Sequence, residues 1–328
     1  MKKILVVGGA GYIGSHMVKM LLQKQHHVVI LDDLSSGHRD AVLGGDFILG
    51  SLADTALLNG LFAEHHFDGV MHFASFIQVG ESMLNPGSYY RNNVTNTLNL
   101  LETMVNHKVL TFLFSSTAAI FGEPLYTPIN EIHPKNPINP YGRSKLMVEE
   151  ILADFDRAYG LKSICLRYFN AAGADAEGQL GERHDPETHL IPLVLQAAAG
   201  MRPYITVFGQ DYDTPDGTCI RDYIHVEDLC QAHLLAIEKL WDGAPRGVYN
   251  LGNGEGFSVR EVIDAAREVT GREIPVQYGA RREGDPARLV ADSGLARIQL
   301  GWQSKYPEIE KIIEHAWRWI LHGSKHDS

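Results

Sequence analysis

Short runs of apolar residues recur along the first half of the chain and alternate with amphipathic stretches. The runs predicted to be strands are 3–7, 28–31, 47–49, 69–73, 111–115 and 163–167. Between most of them lie stretches with helical spacing of apolar residues, such as 14–23 and 95–105. Strands that alternate with helices predict an α/β protein, in which a parallel sheet carries helices on both faces.

The pattern changes after about residue 170. Residues 173–187 are polar and rich in glycine, which predicts a loop, and 190–199 then have the spacing of a helix. A capping-box sequence runs from Ser258 to Glu261, apolar residues follow it at helical spacing, and Gly271 ends the predicted helix.

This change of pattern predicts two lobes. We expect residues 1–170 to form a dinucleotide-binding domain, onto which the segment 220–245 packs back. Residues 171–328 are expected to form mainly a smaller α/β lobe that faces the substrate.

Composition narrows the class of protein. The 328 residues are 45% hydrophobic and 21% charged, which is typical of a soluble globular protein, and the net charge of −11 argues against nucleic-acid or membrane partners. The first apolar run is too short for a signal peptide, and the three cysteines have neither disulfide nor zinc spacing. We therefore expect a cytoplasmic protein without a metal site.

A glycine motif follows the first predicted strand and opens a predicted helix. Residues 9–14 fit G-x-G-x-x-G, and Gly8, Gly11 and Gly14 also recur at intervals of three. Glycines let a backbone approach a pyrophosphate closely, while the helix N-terminus supplies N–H donors. Asp32 ends the second strand, where a carboxylate accepts hydrogen bonds from the ribose hydroxyls of NAD and repels the 2′-phosphate of NADP, and its neighbour Asp33 could share that role. Together these features predict a Rossmann-type, doubly wound sheet that binds NAD.

A second group of residues carries candidate chemistry. Tyr141 and Lys145 are four residues apart, so they share one face if they lie on a helix, and Pro140 favours a helix start there. A nearby ammonium and a cationic nicotinamide would favour a phenolate, which could accept a proton from a sugar hydroxyl. Thr117 ends a strand at the predicted ligand crevice, where its hydroxyl could hydrogen-bond the reacting oxygen. The neighbouring Ser115 and Ser116 are interpreted as strand-end caps.

These motifs together resemble the extended short-chain dehydrogenase/reductase family. Within that family the similarity is greatest to the 4-epimerases of UDP-galactose and UDP-glucose, and it extends over nearly the whole chain. The segments that carry it are 7–16, 79–82, 141–145, 166–170, 221–226 and 281–285.

The resemblance implies an NAD-dependent isomerase of galactose metabolism. Tyr141 is implied as the base, with support from Lys145 and Thr117. NAD would remove hydride from C4 of the hexose, the 4-keto sugar would rotate, and hydride would return to its other face. UDP contacts should then dominate the affinity for the UDP-hexose.

The resemblance also implies a set of contact residues. Those for NAD are Gly8, Gly11, Tyr12, Ile13, Gly14, Asp32, Asp33, Ser51, Leu52, Phe73, Ala74, Asn92, Tyr141, Lys145 and Phe169. Those for the substrate are Thr117, Asn170, His189, Leu190, Thr206, Phe208, Arg221, Tyr223, Arg282, Asp285 and Leu289. The chain departs from the family at Ser51, where an acidic residue is usual, and at Ile77, where a basic residue is usual, and both departures concern details of NAD contacts.

Several alternatives remain open at this point. Leu289 occupies the position that admits or excludes N-acetyl groups and is intermediate in size, which leaves a UDP-N-acetylglucosamine 4-epimerase as an alternative. A noncatalytic NAD-sensing regulator is an alternative of another class. Related dehydratases carry an Asp-Glu pair after the threonine, whereas this chain has Ala118 and Ala119, which cannot transfer protons. The resemblance also implies a homodimer built through 95–105 and 145–159.

Overall fold

A seven-stranded parallel sheet forms the centre of the larger lobe in the computed structural model, which describes residues 1–282 and 285–323. Within the described residues the strands are β1 (Lys3–Val7), β2 (His27–Asp32), β3 (Asp46–Leu49), β4 (Gly69–His72), β5 (Thr111–Thr117), β6 (Lys162–Tyr168), β7 (Asn170–Ala172), β8 (Ile205–Phe208), β9 (Ile220–His225), β10 (Gly247–Leu251), β11 (Gly256–Ser258), β12 (Val276–Gly279) and β13 (Arg288–Leu289). The order across the large sheet is β10-β6-β5-β4-β1-β2-β3. The order reverses at β1, which has β2 on one side and β4 on the other, and such a reversal opens a ligand crevice at the carboxyl ends of the strands.

Helices cover both faces of this sheet and build the second lobe. They are α1 (Tyr12–Gln23), α2 (Thr55–Glu64), α3 (Val79–Leu84), α4 (Pro86–Tyr89), α5 (Asn96–Asn106), α6 (Pro140–Tyr159), α7 (Leu190–Ala198), α8 (Val226–Trp241), α9 (Val259–Thr270), α10 (Gly294–Leu300) and α11 (Ile309–Gly323). A π-helical stretch, Tyr90–Thr95, joins α4 to α5. No helix in the described part of the chain is both long and apolar enough to cross a membrane.

The doubly wound α/β fold predicted from the sequence is confirmed. Each of the six predicted strands forms within two residues of its predicted bounds, and so do the helices predicted at 14–23, 95–105 and 190–199. The capping box at α9 is also present, because the Ser258 hydroxyl accepts from the Glu261 amide while the Glu261 carboxylate accepts from the Ser258 amide. Gly271 ends that helix in the left-handed conformation, with φ of +63°.

The apolar strands are continuously hydrophobic because both faces of the sheet are buried. On β1, Ile4 and Val6 point into one hydrophobic cluster, which contains residues of α1 and α8. Leu5 and Val7 point into the opposite cluster, which contains residues of α2, α5 and α6. Alternate side chains of one strand therefore fill two separate cores, and this double burial fixes the register of the sheet.

The second lobe packs its own core against a smaller sheet. Strand β9 pairs with β7, β11 and β13, and β8 pairs with β12. Apolar residues of α7, α9 and α11 form the core of this lobe. Of the predicted segment 220–245, α8 packs into the core of the large sheet, whereas β9 belongs to the smaller sheet. Strand β10 and helix α10 also pack on the large sheet, and the division into two domains stays a prediction.

Candidate active site

The glycine loop between β1 and α1 is shaped by close backbone approaches. Gly8 has φ of +80°, and a Cβ there would lie 2.6 Å from the Ala74 backbone nitrogen. A Cβ on Gly14 would lie 2.0 Å from the Gly8 carbonyl oxygen. At Gly11, by contrast, an added Cβ would meet only the Gly8 oxygen, at 3.4 Å. Gly11 is the N-cap of α1 and has no side chain that could cover the first N–H groups of the helix. The loop is therefore closed toward the sheet while the first N–H groups of α1 remain available for an anion, as a dinucleotide pyrophosphate requires.

Asp32 stands at the carboxyl end of β2 and fixes the same loop. Its carboxylate accepts from the Ala10 amide at 2.9 Å and from the Leu34 amide at 2.8 Å. Burial raises the pKa of the Asp32 carboxyl, and those two hydrogen bonds oppose the rise. Asp33 is exposed and accepts from the Ser35 amide. The buried position of Asp32 favours it over Asp33 as the ribose partner, because its oxygens retain lone pairs beside the glycine loop.

The other positions proposed for the cofactor differ in what their side chains do. Phe73 and Ala74 follow β4 and lie against Gly8. The Tyr12 hydroxyl donates to the Gly173 carbonyl oxygen at 2.7 Å, and Ile13 packs against the core, so both side chains are already used within the protein. Their backbone amides are what the first turn of α1 can offer a ligand. Leu52 is buried, and among the described residues the half-buried Ser51 and Asn92 hydrogen-bond to residues close to them in the sequence.

Tyr141 and Lys145 lie on the first two turns of α6, as the sequence predicts. The helix starts there because the Asn139 side chain accepts from the Gly142 amide at 2.8 Å and Pro140 occupies the first helical position. Tyr141 is 8% exposed and Lys145 is 2% exposed. The Lys145 ammonium donates to the Ser75 hydroxyl at 2.7 Å and to the Ser115 carbonyl at 2.8 Å.

Burial dominates the titration of this pair. It raises the pKa of Tyr141 to about 12, although a hydrogen bond with Thr117 opposes the rise. It lowers the pKa of Lys145 to about 7, against the attraction of Cys165 and Glu149. The phenolate that the sequence argument expects beside Lys145 is thus not favoured in the ligand-free protein, because desolvation exceeds the stabilising interactions. A bound nicotinamide cation would act in the opposite direction.

Thr117 ends β5 at the same crevice. Its hydroxyl accepts from the Ala119 amide at 3.1 Å, and it opposes the rise that burial causes in the pKa of the Tyr141 phenol. The interpretation of Ser115 and Ser116 as strand-end caps is wrong. The Ser115 hydroxyl contacts His233 at 3.2 Å, and the Ser116 hydroxyl donates to Glu149 at 2.6 Å, so both belong to buried polar networks inside the sheet.

Two positioning residues escaped the sequence analysis. Ser75 accepts the Lys145 hydrogen bond, and Asn93, in the π-helical stretch, donates to the Ser144 hydroxyl at 3.0 Å. The amide of Asn93 also exchanges hydrogen bonds with the Phe76 backbone, at 2.9 and 3.0 Å. Asn93 thereby ties the loop after β4 to α6. A buried asparagine on a helix has no local sequence signal, and its positioning role is evident only from its hydrogen bonds in the folded structure.

The diphosphate and base contacts proposed for the substrate gather on the second lobe. On β8, Thr206 and Phe208 alternate with buried neighbours and so share the outer face. The Arg282 guanidinium lies 4.1 Å from the Phe208 ring centroid. Arg221 is only 12% exposed and forms an ion pair with Asp285. The arrangement provides two guanidinium groups and one aromatic face, which suit phosphate oxygens and a flat base.

The remaining positions proposed for the substrate lie on several different elements. Asn170 donates to the Asp222 carbonyl at 2.9 Å, Leu190 begins α7, and His189 precedes it. Tyr223 is only 4% exposed and belongs to the core of the second lobe, so little of its side chain can reach a ligand. Leu289 pairs in register with Arg221 and, like the half-buried Phe169, packs against the small hydrophobic cluster that contains Ala118. It therefore lies between the candidate UDP contacts and the carboxyl end of β5. Glu283 and Gly284, which contribute to the resemblance, lie outside the described residues.

His225 and Asp228, which superficially suggest a catalytic pair, are used in structural contacts. His225 accepts from the Glu227 amide at 3.1 Å and caps α8, while its other ring nitrogen lies 3.0 Å from His315. The Asp228 carboxylate accepts from the amides of Lys305 and Tyr306, at 2.9 and 2.8 Å. Both side chains therefore serve the fold, and Tyr141 stays the base predicted from the sequence.

The sequence and the structure of the chain were compared with those of known proteins, and both comparisons find NAD-dependent sugar-nucleotide epimerases. The NAD dependent epimerase/dehydratase family matches residues 4–252. The chain is 52% identical to a UDP-glucose 4-epimerase of Halalkalibacterium halodurans over 316 residues, which is 96% of this chain and 95% of the relative. It superimposes with a TM-score of 0.95 on the UDP-glucose 4-epimerase from Brucella ovis in complex with NAD, at 48% identity, covering 97% of this chain and 98% of that one. It superimposes with a TM-score of 0.87 on the UDP-Glc/GlcNAc 4-epimerase of Campylobacter jejuni, at 45% identity, covering 98% of this chain and all of that one (100%).

Proposed function

The chain belongs to the NAD dependent epimerase/dehydratase family, and from that premise we propose that it interconverts UDP-glucose and UDP-galactose, as an isomerase of galactose metabolism. The observation that carries the proposal is the position of Tyr141. It is buried, the Thr117 hydroxyl opposes the resulting rise of its pKa, and it shares the first two turns of α6 with Lys145 at the carboxyl ends of the strands. The glycine loop and Asp32 lie at the same edge of the sheet, where the order of the strands reverses.

The side chains of the site handle the proton. NAD, when bound, supplies the hydride acceptor and donor at C4 of the hexose. Tyr141 accepts the C4 hydroxyl proton as the carbonyl forms and returns it when the opposite epimer is made. Thr117 orients that oxygen through its hydroxyl, and Lys145 holds the helix turn of Tyr141 against β5. Ala118 and Ala119 add no further acid or base, so elimination of water has no catalyst here.

Epimerisation requires that the sugar ring rotate in the site while the nucleotide stays bound. Arg221, Arg282 and Phe208 supply charge and an aromatic face on the second lobe, away from the reacting carbon. We assign UDP affinity to these residues together with Asn170 and Leu190. The hexose end is lined by Leu289, Phe169 and Ala118, which offer few polar partners. Strong binding at UDP and weak binding at the hexose permit the rotation of a 4-keto sugar.

The test is an epimerase assay with no added NAD. The purified protein is incubated with UDP-galactose and quenched, and UDP-glucose is then measured with a coupled dehydrogenase. Product without added cofactor supports 4-epimerisation with tightly held NAD. If product appears only after NAD is added, the activity stands and the cofactor is weakly held. No product in either case contradicts the proposal and favours a noncatalytic NAD-sensing role.

A UDP-N-acetylglucosamine 4-epimerase activity is the second candidate. Two observations favour it: the intermediate size of Leu289, which packs against the cluster that contains Ala118, and the 45% identity to the UDP-Glc/GlcNAc 4-epimerase of Campylobacter jejuni. The same assay with UDP-N-acetylgalactosamine distinguishes a dual enzyme from one restricted to the simple hexoses.

We also propose a cytoplasmic homodimer that pairs through α5 and α6. Met147 and Tyr159 are 37% and 53% exposed on α6, which places apolar surface on that helix. The three cysteines are free, as is usual in a reducing compartment. Light scattering behind size exclusion gives the mass in solution, and a monomer at micromolar concentration would contradict the dimer.

A further inference from the structure

Four potential metal ligands converge in the loop between β7 and α7. They are Glu182, His184, Glu187 and His189, hereafter the Glu/His cluster, and one ligand atom from each lies within 4.8 Å of all the others. The His189 Nδ1 atom is 2.8 Å from the Glu182 carboxylate and 3.1 Å from the Glu187 carboxylate. The His184 Nδ1 atom is 3.2 and 3.6 Å from the same two groups. Both Nδ1 atoms therefore face the same Glu182 oxygen, and each also faces one oxygen of the Glu187 carboxylate.

Three of the four side chains in the cluster are largely shielded from solvent. The Glu182 and Glu187 side chains are 5% and 6% exposed and that of His184 is 18% exposed, whereas His189, which is also one of the proposed substrate contacts, is 40% exposed. The His184 Nδ1 atom itself is buried and has no hydrogen-bond partner among the described residues, although two carboxylates are close. An unsatisfied buried nitrogen directed at carboxylates is costly unless another group completes the arrangement.

Contacts around the cluster hold its members in place. The Glu187 carboxylate accepts from the backbone amides of Thr188 and His189, at 2.7 and 2.8 Å, which fixes its orientation. Trp319 on α11 donates to the Glu182 carbonyl at 3.2 Å. The same indole packs so closely on Gly181 that a Cβ there would lie 2.3 Å from its ring. The ligand set is thus positioned by the backbone and by α11, which reduces the entropy that a metal would have to overcome.

We propose that the Glu/His cluster binds one divalent transition-metal ion of the Zn²⁺ class, with tetrahedral coordination by two imidazole nitrogens and two carboxylate oxygens. Bonds of about 2.0–2.2 Å in a tetrahedron place the ligand atoms roughly 3.4 Å apart. The four nitrogen–oxygen separations between these side chains, 2.8 to 3.6 Å, bracket that value, with Glu187 offering one oxygen to each histidine. Two carboxylates also neutralise the charge of a divalent ion, and imidazole with carboxylate suits zinc and its first-row neighbours.

The site is structural in character, because all four positions are supplied by the protein. His184 lies edge-on to Tyr12 of the glycine loop, with ring centroids 6.4 Å apart, and His189 immediately precedes α7. A bound ion would therefore fix the segment that joins the proposed cofactor site to the proposed start of the UDP site. This segment is the one that the sequence presents only as a polar loop.

The test uses the full chain after treatment with a chelator. Co²⁺ and Zn²⁺ are each titrated at constant pH, with the Co²⁺ ligand-field spectrum and the zinc content after dialysis as readouts. The variants are His184→Asn and Glu182→Gln. The matched control is His27→Asn, because His27 forms an exposed pair with Asp46 at 2.7 Å outside the cluster. Circular dichroism of each variant establishes that it is folded.

We expect one Co²⁺ per chain with intense absorption typical of tetrahedral coordination. Loss of one ligand should weaken binding by about 100-fold or more, since even outer-shell changes cost 10–100-fold. The His27→Asn control should bind as the parent protein does. The proposal is overturned if the parent protein shows no saturable 1:1 binding, or if a folded His184→Asn variant binds Co²⁺ as tightly as the parent. Either outcome would leave the cluster as a set of ion pairs.

Discussion

Lys145 donates to the carbonyl oxygen of Ser115 at 2.8 Å, which joins α6 to β5 two residues before Thr117. The same ammonium donates to Ser75 after β4. In the ligand-free protein the ammonium group thus bonds to residues of two neighbouring strand-and-loop segments. Lys145 therefore supports Tyr141 by fixing the position of α6. Because Thr117 lies on β5 and Tyr141 lies on α6, the link made by Lys145 helps to hold these two hydroxyl groups near each other.

The first prediction concerns the proposed base. Tyr141→Phe removes the only oxygen that this side chain offers and leaves the packing of α6 unchanged. We expect kcat for UDP-galactose epimerisation to fall by about 10²–10⁴-fold, the usual contribution of a positioned acid or base. UDP binding, measured by calorimetry, should change little, because the candidate UDP contacts lie on the second lobe. Near-normal turnover in the variant would remove Tyr141 from the mechanism.

The second prediction is a pH dependence of stability. Burial lowers the pKa of Lys145 to about 7 from its ordinary 10.5. Between these values the unfolded chain binds a proton that the folded chain does not, so the Lys145 contribution to stability rises with pH. We expect the parent protein to gain free energy of unfolding relative to Lys145→Met as the pH rises from 7 to 9.5, as measured by urea unfolding.

The matched control for this experiment is Lys135→Met, because Lys135 is exposed. Its difference from the parent protein should stay constant over the same pH interval. If the Lys145→Met difference is also constant, the depressed pKa of Lys145 is refuted. The comparison with a variant cancels the other titrating groups, including Tyr141, whose pKa of about 12 affects only higher pH.

Much of the larger lobe could be predicted because its information is local. Each parallel strand is a continuous apolar run, since both of its faces are buried, and the glycine motif and the Asn139–Pro140 helix start have stereochemical signatures of their own. The entry of β10 into the large sheet could not be predicted in this way. It depends on pairing with β6 across more than 80 residues, as the Gly247–Ile164 register shows.

The parts of the site that the sequence did not reveal are polar groups whose partners are distant. Asn93 is one of two adjacent asparagines, and only burial shows that it is the one that clamps the loop after β4. The Glu/His cluster lies within a segment that composition identifies merely as a loop. In both cases the residue types are common in loops and helices, and only their burial indicates a specific role. Burial is a property of the folded chain and cannot be read from the local sequence.

The third prediction separates the two adjacent aspartates. Asp32→Asn keeps an acceptor for the Ala10 amide but loses the negative charge near the proposed ribose position. We expect the NAD content of the purified protein to fall and discrimination against NADP to weaken by about 10-fold or more, which corresponds to 1.4 kcal/mol. Asp33→Asn is the control, since Asp33 is exposed and accepts a hydrogen bond from the Ser35 amide in its own turn. Equal effects in the two variants would argue against the assignment of Asp32.

The fourth prediction tests the gate on β13. Leu289 packs against the cluster that contains Ala118, so we expect a larger ring at this position to fill space at the proposed hexose site. Leu289→Tyr should lower kcat/KM for UDP-N-acetylgalactosamine while it largely preserves that for UDP-galactose, and Leu289→Ala should do the reverse. A difference of 1–3 kcal/mol, or about 10–200-fold, is what a pocket of this kind can supply. Parallel losses for both substrates in both variants would show that Leu289 has only a packing role.

The last prediction concerns a buried ion pair behind the site. The Arg167 guanidinium donates to both Glu149 oxygens, at 3.0 and 2.6 Å, and the two side chains are 1% and 6% exposed. Removal of one partner leaves an uncompensated charge in the protein interior, so Arg167→Met should lower the free energy of unfolding by about 3–5 kcal/mol. The double change Arg167→Met with Glu149→Met should cost less than the single one, because no charge is then stranded. Urea unfolding of the three variants in one buffer decides the matter. A double variant that is less stable than either single variant would mean that the pair itself contributes net stability, in addition to joining α6 to β6.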